Sequence, residues 1–243
     1  MRRNACLLTV LAATFSVTPA FADPADFSLF QWIFNVDGTI YDSLGFDGSS
    51  TLPANFGVVS GTPLDIGVGG GLGVLSVVFD TPGPHNFIAF FDQEIRETLN
   101  GFSNESAFAV GVPSAGLSFE AGEPGIISLP PNIYTRTLAG ALGNVIGPVP
   151  DDMALALGWS FLLGAGDTAT ILLSLSETAP VGGFYLHQID PDPAGARNLY
   201  YSTSLTINAI PEPGYYGVFV VVVCCFIAAI VYRRRLGSVQ PTR

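Results

Sequence analysis

Residues 153–176 read MALALGWSFLLGAGDTATILLSLS. In the first nine positions, Met153, Leu155, Leu157, Trp159 and Phe161 alternate with Ala154, Ala156, Gly158 and Ser160. A strict period of two with large residues on one side is the pattern of a strand that lays one face on a core. Gly164-Ala165-Gly166-Asp167 supplies a turn. From Thr168 to Ser176 the alternation resumes, with Ala169, Ile171, Leu173 and Leu175 sharing a face. The spacing predicts two strands joined as a hairpin.

The same signal recurs on either side, at Phe27–Val36, Leu72–Phe79, Asn86–Asp92, Gly183–Gln188 and Tyr200–Ile207, with weaker strands at Ser114–Glu120 and Ile133–Leu138. Glycine and proline punctuate the intervals. Gln93–Leu99 offers one helical turn, and no internal repeat is evident. About eight strands without a convincing amphipathic helix predict an all-β domain, an antiparallel β-sandwich or jelly roll. If the strands at 72–79 and 86–92 form a hairpin as well, the carboxylates at their ends come into one neighbourhood.

Apolar segments flank this domain. At the N-terminus, Arg2-Arg3 precede an apolar run from Ala5 to Val17 and then Ala20-Phe21-Ala22. A basic start, an apolar stretch and an A-x-A site predict a secretory signal peptide over 1–22, cleaved to leave Asp23 first. At the other end no charged residue occurs from Pro213 to Tyr232, and Arg233, Arg234 and Arg235 follow. Residues 215–232 would span roughly 27 Å as a helix, enough for a lightly tilted crossing. The arginines then lie on the cytoplasmic side. The chain divides accordingly into a signal peptide (1–22), an ectodomain (23–209), a sorting and membrane segment (210–235) and a short cytoplasmic tail (236–243).

Pro211-Glu212-Pro213, an apolar helix and an arginine cluster in that order resemble the PEP-CTERM sorting signal of exosortase substrates. That resemblance covers about residues 210–235. It implies an exported protein held in the bacterial inner membrane, then cut near Pro-Glu-Pro by exosortase, a membrane-embedded cysteine protease, and released or re-anchored outside. Two prolines fix φ and withhold backbone donors, so the stretch is expected to stay extended for a protease. Here the segment also departs from the family pattern: a tail from Leu236 to Arg243 follows the arginines, and the span is rich in valine and holds Cys224-Cys225. A type I protein that keeps its anchor is the alternative. Segments such as Ala89-Phe90-Phe91-Asp92-Gln93-Glu94-Ile95, Asp151-Asp152-Met153-Ala154-Leu155 and Gly182-Gly183-Phe184-Tyr185-Leu186-His187-Gln188 are similar to an ectodomain type of PEP-CTERM and related surface proteins, over about residues 72–208. That type implies location and β fold and carries no catalytic residue.

Composition narrows the functional classes. All 9 basic residues are arginines, against 20 acidic ones, for a net charge of −11. Between Asp23 and Ile210 the balance is 19 acidic residues against Arg96, Arg136 and Arg197. Nucleic acid is excluded as a partner, because binding it requires a basic footprint. The three cysteines are Cys6, Cys224 and Cys225, so the ectodomain has no thiol nucleophile, disulfide or cysteine metal site.

Catalytic signatures are few. Gly111-Val112-Pro113-Ser114-Ala115-Gly116 is misspaced for a nucleophile elbow, and the run Gly67–Gly73 lacks the Lys-Ser/Thr of a phosphate loop. His85 follows a Pro-Gly-Pro turn, and His187 is expected to face away from Phe184 and Leu186. Carboxylates remain. Asp92 and Glu94 share a strand face at i, i+2, and a hairpin would bring Asp80 near them; Asp151-Asp152 and Asp190-Pro191-Asp192 add oxygen. These are the candidates for a structural Ca²⁺, the one cofactor considered. No aromatic platform is evident from periodicity, although Trp32, Trp159, Tyr185, Tyr200 and Tyr201 are available. The resulting expectation is a non-enzymatic surface or matrix protein, partnered by exosortase, the inner membrane and extracellular polysaccharide. Two alternatives stand beside it: a carbohydrate-binding β-sandwich, with or without calcium, and a glycoside hydrolase or lyase using Asp92 and Glu94.

Overall fold

The computed structural model describes residues 27–95, 104–125, 132–191, 197–209 and 213–237, the last with side chains from 219 to 233. Along the chain run β1 (Phe27–Val36), β2 (Thr39–Asp42), β3 (Phe56–Gly61), β4 (Gly67–Val68), β5 (Gly73–Phe79), β6 (Gly83–Ile95), β7 (Ser106–Val110), β8 (Leu117–Gly122), α1 (Ile133–Leu138), β9 (Val145–Ile146), β10 (Ala154–Leu163), β11 (Thr168–Ser176), β12 (Tyr185–Asp190), β13 (Arg197–Asn208) and α2 (Pro213–Gly237). The strands form two sheets. One has the order β2-β1-β6-β10-β8-β9, with β4 also against β1; the other has the order β3-β5-β11-β13-β12-β7. All pairings are antiparallel except β8 with β9. The expected β-sandwich is the fold.

The core lies between the sheets, where Phe34, Phe87, Phe91, Leu155 and Leu157 of the first meet Leu75, Ile171, Leu173 and Tyr201 of the second. The Tyr201 ring stands edge-on to Phe91 at 5.3 Å, and its hydroxyl donates to the Ala89 carbonyl oxygen at 3.2 Å. A smaller cluster packs on the outer side of the first sheet. Ile33, Ile88, Phe90, Ala154 and Ala156 are roofed there by Ile133 and Tyr134 of α1. This explains the composition of residues 153–161: the large members face the sandwich, and Ala154 and Ala156 are small because α1 sits on them. Gly158 is equally constrained, since a Cβ there would come within 2.8 Å of Ser118 Oγ and 3.0 Å of the Phe87 carbonyl oxygen. α1 is held at both ends. Asn132 and Thr135 form a reciprocal N-terminal cap, and Asn35 Nδ2 donates to the carbonyl oxygens of Thr137 and Leu138 at 2.9 and 3.0 Å.

Several expectations need correction. β10 and β11 are not a hairpin: β10 lies between β6 and β8 in one sheet, and β11 between β5 and β13 in the other. Both edges of each strand are already taken, so Gly164–Asp167 arches from one layer to the next. The link from β5 to β6 crosses between sheets in the same way. Ile133–Leu138 is a helix, with Ile133, Tyr134 and Thr137 buried at helical spacing. Of the expected helical turn at Gln93–Leu99, Gln93–Ile95 instead extends β6, and 96–99 lie outside the described residues.

At the C-terminus, α2 runs for 25 residues, and every side chain described in it, 219–233, is exposed. Among the described residues no helix is long and apolar enough to cross a membrane. The expected signal peptide, with Ala20, Ala22 and Asp23, lies outside the described residues.

Filling the space beneath α1 should be costly. Ala156→Leu is expected to lower stability by about 1–3 kcal/mol in urea unfolding followed by circular dichroism, from overpacking against Ile133 and Tyr134. Leu172→Ala on the exposed face of β11 should change it by roughly 0.5 kcal/mol or less.

Candidate functional site

Polar groups gather at the end of β6. Asp92, Gln93 and Glu94 are all buried there, with 4%, 1% and 7% exposure. Their burial follows from position: Phe27–Gln31 of β1 covers one edge and Ala154 of β10 pairs with Asp92 on the other. Asp152, just before β10, completes a group of three carboxylates whose oxygens lie within 4.8 Å of one another. Asp92 and Glu94 therefore do share a face, as their spacing implies. Asp80 is elsewhere. With β5 and β6 in different sheets it stays at the opposite end, roughly 30 Å along β6 from Asp92 at strand rise. Three carboxylates at this spacing are the donor chemistry of a hard divalent cation. A cluster of acids alone does not make a metal site.

Glu105 is drawn into the same end of the sandwich. Its backbone exchanges hydrogen bonds with Asp151, Glu105 N–H to O at 3.0 Å and Asp151 N–H to O at 2.9 Å. Its carboxylate accepts from the Ile95 N–H at 2.8 Å and from Gln188 Nε2 at 2.5 Å, and that same amide donates to the Gln93 carbonyl oxygen at 2.7 Å. Burial raises the Glu105 pKa, the Ile95 hydrogen bond opposes it, the Glu94 charge raises it, Gln188 opposes it and the Asp152 charge raises it; the net result is pushed up to about 9. Nothing in the sequence singled out Glu105 or Gln188 for this site, since Glu105 sits in an isolated bridge to Asp151 before β7, Gln188 lies in β12, and both reach β6 only through the tertiary fold.

At the other end, His85 lines a cleft of about 720 Å³ with Asp37, Asn55, Phe56 and Asp80. The ring nitrogens face Asp37 Oδ2 at 2.8 Å and the Thr81 carbonyl oxygen at 2.7 Å. Two acceptors suit a doubly protonated ring. Burial disfavours the charge, but the bonds to Thr81 and Asp37 and the Asp37 charge outweigh it, and the pKa is raised. His187 faces outward, as expected, and meets Asn198 Oδ1 at 2.7 Å.

A glycosidase needs two carboxyl groups facing a sugar-sized opening. Asp92 and Glu94 are both buried, at 4% and 7% exposure. Of the sorting segment, Pro211 and Glu212 lie outside the described residues, while Pro213 is the first residue of α2, where a fixed φ suits a helix start. Arg233 is exposed; Arg234 and Arg235 lie in the helix beyond the described side chains. No family model, curated protein or solved structure matches the chain.

Glu105 gives a signed pH prediction. Between about pH 4.5 and 9 the folded chain holds a proton that the unfolded chain releases, so stability falls as pH rises across that window. The slope from this one group is up to about 1.4 kcal/mol per pH unit. Glu105→Gln should flatten the decline in thermal midpoint between pH 5 and 9, measured by circular dichroism. Parallel curves for the variant and the parent would show that Glu105 stays ionised.

Proposed function

We propose that this chain is an exported surface protein, sorted through a PEP-CTERM-type signal, that presents a non-catalytic β-sandwich outside the cytoplasm among extracellular polysaccharide. The observation that carries this reading is α2. Phe219, Val220, Val221, Phe226, Ile227 and Ile230 are between 52% and 69% exposed, on all sides of one helix. An all-round apolar helix has no favourable place in water, and lipid is the solvent that suits it. Residues 215–218, in the helix but outside the described side chains, complete an uncharged run of membrane length, and Arg233-Arg234-Arg235 close it on the cytoplasmic side.

Additional support comes from the ectodomain. Its sandwich closes its own core without a disulfide, and a net acidic surface keeps such a domain soluble after export. In the sequence, Pro211-Glu212-Pro213 follows β13 and runs into the start of α2, next to the apolar segment where exosortase would act. Exosortase and the inner membrane are the partners this reading names.

The test is the intact mass of the protein in membrane and extracellular fractions, from cells with and without exosortase. The expected result is a species running from Asp23 to the vicinity of Pro213, present only with exosortase, plus the mass of any attached lipid or glycan. A single species ending at Arg243 in both strains would replace the sorting reading with a permanent type I anchor.

A further inference from the structure

We infer that the cleft over Trp159 is a binding site for a neutral saccharide. It has a volume of about 530 Å³ and opens beside the free edge of β13, between the loops at 111–116 and 177–184. The largely buried rings of Trp159 and Phe184 show an edge among its lining residues, and Ser114, Ser174, Ser202, Thr203 and Ser204 supply hydroxyls. None of its lining residues is charged. Trp159 is fixed in place, since Nε1 donates to Thr203 Oγ1 at 3.0 Å. The walls are equally fixed. A Cβ at Gly116 would meet the Ser160 carbonyl oxygen at 2.5 Å, and one at Gly111 would meet that of Gly183 at 2.4 Å.

A row of rings leads away from the cleft across the outward face of the second sheet. Tyr185 pairs in register with Ser202 and meets Tyr200 edge-on at 5.7 Å. Tyr200 stacks on His187 at 4.6 Å, and His187 meets Phe108 at 5.9 Å. Across all six strands no outward side chain is Asp, Glu, Lys or Arg. The charged residues of these strands, Asp190 and Arg197, sit opposite one another at one end. For a domain with 19 acidic residues this is a marked partition.

The chemistry of the cleft selects its ligand. A pyranose ring has an apolar C–H face and a rim of hydroxyls. The accessible rings of the Tyr185–Tyr200–His187 row beside the cleft take the first, and serine and threonine, which both donate and accept, take the second. A purely apolar ligand would bury those hydroxyls unsatisfied, at about 1–3 kcal/mol each. A polyanionic chain is repelled by the acidic remainder of the domain. A cleft of this size lies within the range of small-ligand sites and holds a short stretch of sugar chain, which can continue over the Tyr185–Tyr200–His187 row. This deepens the preceding reading by naming its ligand, and it rests on that reading only for access to polysaccharide.

The experiment uses the full chain in a polyoxyethylene detergent, because glucoside and maltoside detergents would compete. Tryptophan emission is followed during titration with hexasaccharides of cellulose, β-1,3-glucan, xylan and mannan, and with oligogalacturonate as the polyanion. At least one neutral hexasaccharide should shift the emission, with an affinity unchanged by about 0.5 M salt, while oligogalacturonate does not. Ser204→Arg, on an exposed strand position at the cleft, should weaken that binding by about tenfold or more at unchanged melting temperature. No shift with any of the four, equal binding of oligogalacturonate, or equal binding by Ser204→Arg overturns the proposal. So does concentration-dependent self-association that Ser204→Arg abolishes, which would make the face a contact between copies. Binding is read on purified protein and sorting on cell fractions, so either result can fail alone.

Discussion

Nine consecutive residues of β6, Phe87–Ile95, are buried on both faces, and most of the structure answers to that constraint. A strand hidden on one side needs a second sheet; a strand hidden on both needs a further cover. The second sheet receives Phe87, Ala89 and Phe91, while α1 covers Ile88 and Phe90. Burying a large apolar side chain is worth about 1.5–3 kcal/mol, so Phe87, Ile88, Phe90, Phe91 and Ile95 make this strand a major contributor to hydrophobic stabilisation. Its neighbour β10 must then present alanine and glycine toward α1, because the space is already filled by aromatic residues. The helix needs no intrinsic strength. Six residues would not hold a helix in water, so the Asn132 cap, the Asn35 amide and the apolar surface below it do so together.

The same constraint draws polar chemistry inside. The burial of β6 runs past its last aromatic residue, so Asp92, Gln93 and Glu94 go under with it. Asp42, another fully buried carboxylate, shows the easier arrangement: it accepts from Gln31 Nε2 at 2.7 Å and from the backbone N–H groups of Leu44, Phe46 and Asp47 in a turn at the surface. Glu105 has one backbone N–H and one amide, with the charges of Glu94 and Asp152 close by. Its preference for a proton follows from that shortage of donors and excess of like charge.

Alternation along the chain reports which face a residue occupies and says nothing of which strand lies beside it. The limits of β1 and β11 were legible to the residue, and so was the shared face of Asp92 and Glu94. The hairpin reading of β10–β11 failed, and the condition that β5 and β6 form one is not met, because a turn of three or four residues serves an arch between layers as well as it serves a hairpin. Only that condition placed Asp80 beside Asp92. The helix at Ile133–Leu138 was missed for a different reason: six residues give a period of 3.6 too little length to separate from a period of two. Its signal was the cap, Asn132 with Thr135. The aromatic row has no signature in any local window. Phe108, His187 and Tyr200 become neighbours only once β7, β12 and β13 are in register, and two of those strands are short or late in the chain.

The distribution of charge ties the domain's ends to its faces. Carboxylates concentrate at strand ends and turns, where Asp37, Asp42 and Asp92 are held by backbone or by neighbouring strands, while the outward face of the second sheet carries hydroxyls and rings. A solvated sheet under selection for solubility alone would spread charge along its strands, as edge protection also favours. The same face also exposes Val78, Phe108 and Leu172, so it mixes hydroxyls and rings with aliphatic surface. On the saccharide-binding proposal, rings standing in a row among serine and threonine offer contact area to a ligand that is itself apolar on its faces and polar at its rim. The acidic remainder then sets the sign of what can approach, and excludes chains that carry its own charge.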